Sequence, residues 1–169
     1  KGMFENVRDR VGADFGRPMV ARGAAHGDVD GDGDLDILLT DNDGPARLLR
    51  NDGGNRNAWL RVRLVGRRSN SDGLGAQVTV KTPAGKRTAM VKSGSSYCSH
   101  SDSALTFGLG PATEVAELEV SWPSGAKQRL GSVKASQLIL VDEEKGIVKS
   151  VPRVGVALSE RKSARGNEP

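Results

Sequence analysis

Cysteine is almost missing from this chain, and its scarcity excludes a great deal. Cys98 is the single cysteine in 169 residues. An internal disulfide and a cysteine-based metal framework are both ruled out. Aromatic residues are scarce as well, with three Phe, two Trp and one Tyr. That leaves no stacking platform of the kind single-stranded nucleic acids need, although the formal charge is +4. No apolar run reaches the length of a membrane span. No Asn-x-Ser/Thr acceptor, no Gly-x-Ser-x-Gly elbow and no phosphate-binding glycine loop occurs. There is no amphipathic helix of ordinary length. No signal peptide is visible, and the chain starts at Lys1, as expected of a processed product or a domain cut from a longer protein.

Glycine is abundant, with 22 glycines and seven prolines. Such turn-rich composition suits an all-β chain of short strands. The densest chemistry lies in Asp28-Val29-Asp30-Gly31-Asp32-Gly33-Asp34-Leu35-Asp36, where aspartates alternate with small or apolar residues. In an extended strand the carboxylates would share one face and repel. Gly31 and Gly33 let the backbone turn so that they converge instead. Hard oxygen ligands in flexible geometry suit Ca²⁺. The expected ligands are side-chain oxygens of Asp28, Asp30 and Asp32, the backbone carbonyl of Asp34, and a last carboxylate from Asp36. An EF-hand is excluded, because its twelfth position would be Leu39 instead of Glu and strands flank the loop. Leu35 to Thr40 reads as a strand, Asp41 to Pro45 as a turn, and Ala46 to Asn51 as a returning strand. Asp41 and Asp43 are expected to form the turn, and His26 to neighbour the ion without binding it.

This unit, with Gly23-Ala24-Ala25-His26-Gly27 ahead of the loop and Leu35-Asp36-Ile37-Leu38-Leu39 after it, resembles the FG-GAP or VCBS repeat of integrin-type β-propellers. The resemblance implies a loop that holds Ca²⁺ within or between the strands of a blade. A propeller needs about four to eight blades. A single unit therefore implies the C-terminal end of a longer protein, or a hairpin packed on the next domain.

Beyond Asn55 a second set of strands follows: Trp59 to Val65, Ala76 to Lys81, Arg87 to Lys92, Ser103 to Phe107, Val115 to Trp122, Lys127 to Leu130 and Gln137 to Val141. Their alternation and the intervening turns point to a β-sandwich or jelly-roll-like domain. Arg61 and Arg63 alternate with Val62 and Leu64, which predicts a strand with one solvated face. Cys98 is expected to be a small core residue on a strand. Several motifs here (Trp59-Leu60, Gly73-Leu74-Gly75-Ala76, Ser93-Gly94-Ser95-Ser96-Tyr97, Ser99-His100-Ser101-Asp102, Phe107-Gly108-Leu109-Gly110 and Trp122-Pro123-Ser124-Gly125) make residues 57–143 resemble the ASPIC/UnbV domain. Proteins with this domain order include bacterial secreted or envelope proteins and the animal cartilage acidic protein group. Cys98 and His100 depart from the usual pattern. The lack of cysteines for an EGF-like module, and of glycosylation acceptors, favours a bacterial-type relative.

The expected organisation is a partial FG-GAP/VCBS repeat over 1–55, an ASPIC/UnbV β-sandwich over 56–145 and a basic polar tail over 146–169. Within that tail, Val154 to Leu158 is the stretch suited to adding as a strand. The fold class is thus all-β, a β-sandwich preceded by a calcium-binding hairpin unit of propeller-blade type. Ser99, His100 and Asp102 offer the parts of a hydrolase triad, but His100 and the serines would point to opposite faces of a strand. The expected function is a non-enzymatic, Ca²⁺-stabilised extracellular or envelope module for adhesion or protein contact. Its exposed strand edges would take a protein partner or a second copy. The alternative is carbohydrate binding, with Trp59, Tyr97 and Trp122 as candidate aromatics. No nucleic-acid partner and no membrane span are expected.

Overall fold

A computed structural model of the chain describes residues 2–7 and 10–153. The described residues form thirteen strands and contain no α-helix. None of the described helical turns is long and apolar enough to cross a membrane. The segment Val154 to Leu158 lies outside the described residues.

The first three strands make a small antiparallel sheet: β1 (Ala21–Gly27), β2 (Asp36–Asp41) and β3 (Arg47–Leu49), in that order. The aspartate loop connects β1 to β2. Asp41, at the end of β2, accepts from the Val20 amide at 3.1 Å through its Oδ1, which ties the end of β2 to the residue before β1.

The remaining strands build a sandwich. One sheet contains β4 (Ala58–Val65), β7 (Leu105–Gly110), β12 (Gln137–Asp142) and β13 (Gly146–Pro152) in the order β13-β12-β4-β7. Its β12–β4 pair is parallel; its other pairs are antiparallel. The facing sheet has the order β10-β9-β5-β6, from β5 (Gln77–Thr82), β6 (Gly85–Met90), β9 (Glu117–Ser121) and β10 (Lys127–Arg129). A two-stranded pair, β8 (Glu114–Val115) with β11 (Val133–Lys134), closes one end. The period-2 positions meet between the sheets: Leu60, Val62 and Leu64 from β4, Val78 and Val80 from β5, Leu118 and Val120 from β9, Ile139 and Val141 from β12. The residues Gly146 to Pro152, expected in the tail, instead form β13. Its Ile147 and Val148 are exposed, and β12 supplies the ladder that holds it.

One buried carboxylate pins the loops at the end of β12. Glu143 Oε2 accepts the consecutive amides of Arg67, Arg68 and Ser69 at 2.6, 2.7 and 2.8 Å. Its Oε1 accepts the hydroxyls of Ser69 and Ser124 at 2.8 and 2.6 Å. Three successive N–H groups around one oxygen make an anion-binding concavity. Next to it, Asp142 Oδ2 accepts from Arg67 Nε at 2.8 Å. The Glu143 backbone carbonyl takes Gln128 Nε2 at 2.6 Å, and Gln128 Oε1 receives the Trp122 indole N–H at 2.9 Å. Burial pushes the Glu143 carboxyl up, but the Ser124 hydroxyl and the Ser69 and Arg67 donors outweigh it and hold the group far below its ordinary value of 4.5.

Leu118→Ala, at a fully buried site, should cost about 2–5 kcal/mol in chemical denaturation. Leu48→Ala, at a residue 51% exposed, should stay within about 0.5 kcal/mol of the wild type. The depressed Glu143 carboxyl stabilises the fold fully above its ordinary value of 4.5, and that contribution is lost as pH falls below it. Glu143→Gln should therefore be less stable than the wild type at pH 7. Its loss of stability on acidification should also be shallower, as urea titrations at pH 7, 5 and 3 would show.

Candidate metal centre

The aspartate loop folds back on itself, and its own backbone amides are the reason. Asp28 Oδ1 accepts from Gly31 N–H at 2.7 Å, and Asp28 Oδ2 from Gly33 N–H at 3.1 Å. Gly31 and Gly33 have φ of 77° and 97°, the left-handed region that glycine enters without penalty. Asp36, at the start of β2, is buried and clasps both ends of the unit. Its Oδ2 accepts from Val29 N–H and its Oδ1 from Asn51 N–H, each at 2.9 Å.

This folding brings carboxylate oxygens of Asp28, Asp30 and Asp36 within 4.8 Å of one another. The Asp32 and Asp34 carboxylates lie outside that group and, like those of Asp28 and Asp36, meet protein donors; the contribution expected of Asp34 is its backbone carbonyl. Asp32 Oδ2 accepts from Asn55 Nδ2 at 2.6 Å, and its Oδ1 accepts the Asp34 amide at 3.1 Å. Asp34 Oδ2 accepts the Gly54 amide at 2.9 Å. Asp34 is 5% exposed, and its Oδ1 is buried without a hydrogen-bond partner. His26 is exposed and lies outside the carboxylate group.

The charge is incompletely offset within the protein. Among the described residues, Arg61 is the guanidinium that bonds a loop carboxylate, its Nη1 on Asp28 Oδ2. Burial raises the Asp30 carboxyl above its ordinary range, and the Asp32 charge adds to the rise. Burial does the same for Asp34, again reinforced by Asp32. Three converging carboxylates and a residual excess of negative charge fit a hard divalent cation. Asp28, Asp30 and Asp36 would hold it.

The loop is built against the sandwich. A Cβ on Gly33 would lie 1.8 Å from the Trp59 indole, so only glycine allows this approach. Trp59 and Trp122 are buried, which removes both from any sugar-facing surface; Tyr97, 68% exposed, is the aromatic that remains. Arg61, expected on a solvated face, is 5% exposed. Its guanidinium bridges Asp28 to Asp102 of the β6–β7 loop. Asp102 also receives Arg63 Nη2 at 2.8 Å and the Ala104 amide at 3.1 Å. Burial pushes the Asp102 carboxyl up, but the Ala104 amide and the two arginines outweigh it and hold it below its ordinary range.

The same β6–β7 loop seals the free edge of β1. The Asp102 amide donates to His26 O at 2.9 Å, the His26 amide to Ser101 Oγ at 3.2 Å, and the Ala24 amide to Ser96 Oγ at 3.1 Å. Of the two edges expected to be open, β1 is thus covered, and β3 is the outer strand that remains. Cys98, expected in the core, is an exposed free thiol with φ of 45° in this loop. A Ser-rich segment without alternation has no strand for it to occupy. The components of the suggested triad are engaged elsewhere. His100 Nδ1 accepts from the Gly94 amide at 3.3 Å, Ser99 Oγ donates to Tyr97 O at 2.8 Å, and Asp102 faces the arginines.

Gly33→Ala should separate the loop from Trp59 and destabilise the protein by more than about 1 kcal/mol, because φ and space are both wrong for a side chain. A red shift of the tryptophan emission in the folded variant would check the separation; an unchanged spectrum and midpoint would contradict the packing.

Residues 66–148 match the family model described as ASPIC and UnbV. Cartilage acidic protein 1 of Xenopus tropicalis is 34% identical over 107 residues, which cover 61% of this chain and 16% of that protein. Cartilage acidic protein 1 of Homo sapiens is 34% identical over 102 residues, or 58% of this chain and 15% of that protein. The chain therefore matches no more than 16% of the length of either relative. The ASPIC/UnbV part of the resemblance is supported over residues 66–148, from the loop after β4 into β13, while the aspartate loop lies outside that match.

Proposed function

We propose that the loop from Asp28 to Asp36 is a structural Ca²⁺ site, and that this chain is a calcium-stabilised, non-enzymatic module for protein contact in an extracellular or envelope setting. The observation that carries this reading is the convergence of Asp28, Asp30 and Asp36 within 4.8 Å. A dication would relieve their repulsion and tie the β1–β2 turn to β3 through Asp36. Because the unfolded chain presents no such cluster, binding energy adds to folding energy. Extracellular calcium is abundant enough for a site of micromolar or weaker affinity. A propeller-type repeat of the FG-GAP or VCBS kind remains the best description of β1 to β3.

The contact surface in this reading is the edge of β3 with Leu38 and Leu48 beside it. These two leucines are paired across β2 and β3 and are both exposed. An edge strand flanked by exposed leucines suits a partner strand from another protein or a second copy. Carbohydrate binding is the weaker alternative, since two of its three candidate aromatics are buried.

Thermal unfolding in EDTA, Ca²⁺ and Mg²⁺ tests the site. At a hundredfold excess over Kd, Ca²⁺ should raise the midpoint by about 5–10 °C. Mg²⁺, which demands stricter octahedral geometry, should do less. Asp30→Asn is the clean variant, because the Asp30 side chain makes only one long local hydrogen bond, at 3.4 Å to the Asp32 amide. It should melt near the wild type in EDTA and lose the calcium response. A wild-type midpoint indifferent to Ca²⁺ would remove the reading.

A further inference from the structure

We propose that Asp102, in the β6–β7 loop, is a positioning residue for the ion site and sets its affinity through Arg61; this rests on the calcium reading above. Asp102 lies outside the carboxylate group formed by Asp28, Asp30 and Asp36. Its influence passes through one guanidinium, which bonds Asp28 with Nη1 and Asp102 with Nη2. Arg61 and Asp28 are both nearly inaccessible, with side chains 6% and 2% exposed, so solvent screens their interaction weakly.

The ion and Arg61 compete for the charge of Asp28. Whatever draws the guanidinium's charge elsewhere leaves Asp28 freer to bind the ion. Asp102 does that. Arg63 acts in the opposite direction. It bonds the other Asp102 oxygen at 2.8 Å from a half-exposed position, so it withdraws Asp102 from Arg61 and contributes positive charge. The two neighbours of Arg61 should therefore move calcium affinity in opposite directions. Linkage makes the effect reciprocal. Ion binding at Asp28 should tighten the Arg61–Asp102 bond, and with it the Asp102 amide's hold on His26 O at the β1 edge.

The test is calcium titration of the full chain by calorimetry, with Ca²⁺ alone as the ligand. Asp102→Asn should weaken binding about tenfold. Asp102→Glu should restore most of it. Arg63→Gln should tighten binding about twofold, the modest size expected of a half-exposed charge. Native-state hydrogen exchange should show Ca²⁺ protecting the Asp102 amide in the wild type, and this protection should be lost in Arg61→Gln. If Asp102→Asn is unfolded at the assay temperature, the opposite signs of Asp102→Glu and Arg63→Gln relative to the wild type still decide. Asp102→Asn binding as tightly as the wild type would overturn the proposal, as would Arg63→Gln weakening binding to the same degree as Asp102→Asn. Either result would leave the ion site itself intact. Failure of the wild type to bind Ca²⁺, together with an Asp30→Asn variant that melts like the wild type in every condition, would instead overturn the site on which the proposal rests.

Discussion

Arg61 occupies a position that few arginines tolerate. It stands on a strand of the sandwich, flanked by Leu60 and Val62 of the core, and is almost fully withdrawn from water. A buried guanidinium is stable only when carboxylates meet it, and here they come from Asp28 on one side and Asp102 on the other. Losing one partner would leave Arg61 paired to the other, whereas losing both would leave an uncompensated buried charge. The geometry of the junction follows from this constraint. The aspartate loop must lie over β4, the β6–β7 loop must reach back to β1, and Trp59 must sit under a residue with no side chain. The hairpin sheet is thereby fixed to the sandwich by charge and shape in one place.

The proposed ion site and the junction share Asp28, and this sets a division of labour among the aspartates. Asp28 turns its two oxygens to Gly31, Gly33 and Arg61, so its position is set before any ion arrives. Asp36 is likewise held by Val29 and Asn51. Asp30 is the member least used by the protein, and its raised carboxyl reports the cost of leaving it there. Preorganised ligands lower the entropy cost of binding, while the least constrained carboxylate supplies the excess charge that a dication relieves. Such a division suits an ion that stabilises: most of the loop's shape is already specified by the amides around it.

The fold was legible wherever its signal was local. Alternation located β4, β5, β9 and β12 within a residue or two of where they lie, and the strict aspartate spacing marked the loop. What escaped was decided by distant partners. Arg61 reads as a solvent-facing residue because alternation says which face it shares, not what covers that face. Its partners lie 33 and 41 residues away. Glu143 sits in an Asp-Glu-Glu-Lys turn that any reading would leave in water, yet its three amide donors are 74 to 76 residues upstream. β13 lacks an apolar stripe and exists because β12 offers unpaired backbone beside it. Glycine did carry a usable signal at Gly33, where a second glycine inside an aspartate run hints at a close approach, though not to Trp59.

A last consequence concerns the edges of the small sheet. A three-stranded sheet standing alone would present two open edges, and both would invite pairing with other chains. The sandwich removes one of them by laying the serines of the β6–β7 loop along β1, using hydroxyl oxygens as acceptors where a strand would use carbonyls. Side-chain acceptors satisfy the β1 amides without creating a new free edge, so the sheet does not simply extend outward. This cover depends on Asp102, whose amide and carboxylate bond β1 and Arg61 at once. The buried charge at the junction thus covers the β1 edge, and among the described residues β3 is the other outer strand of this sheet.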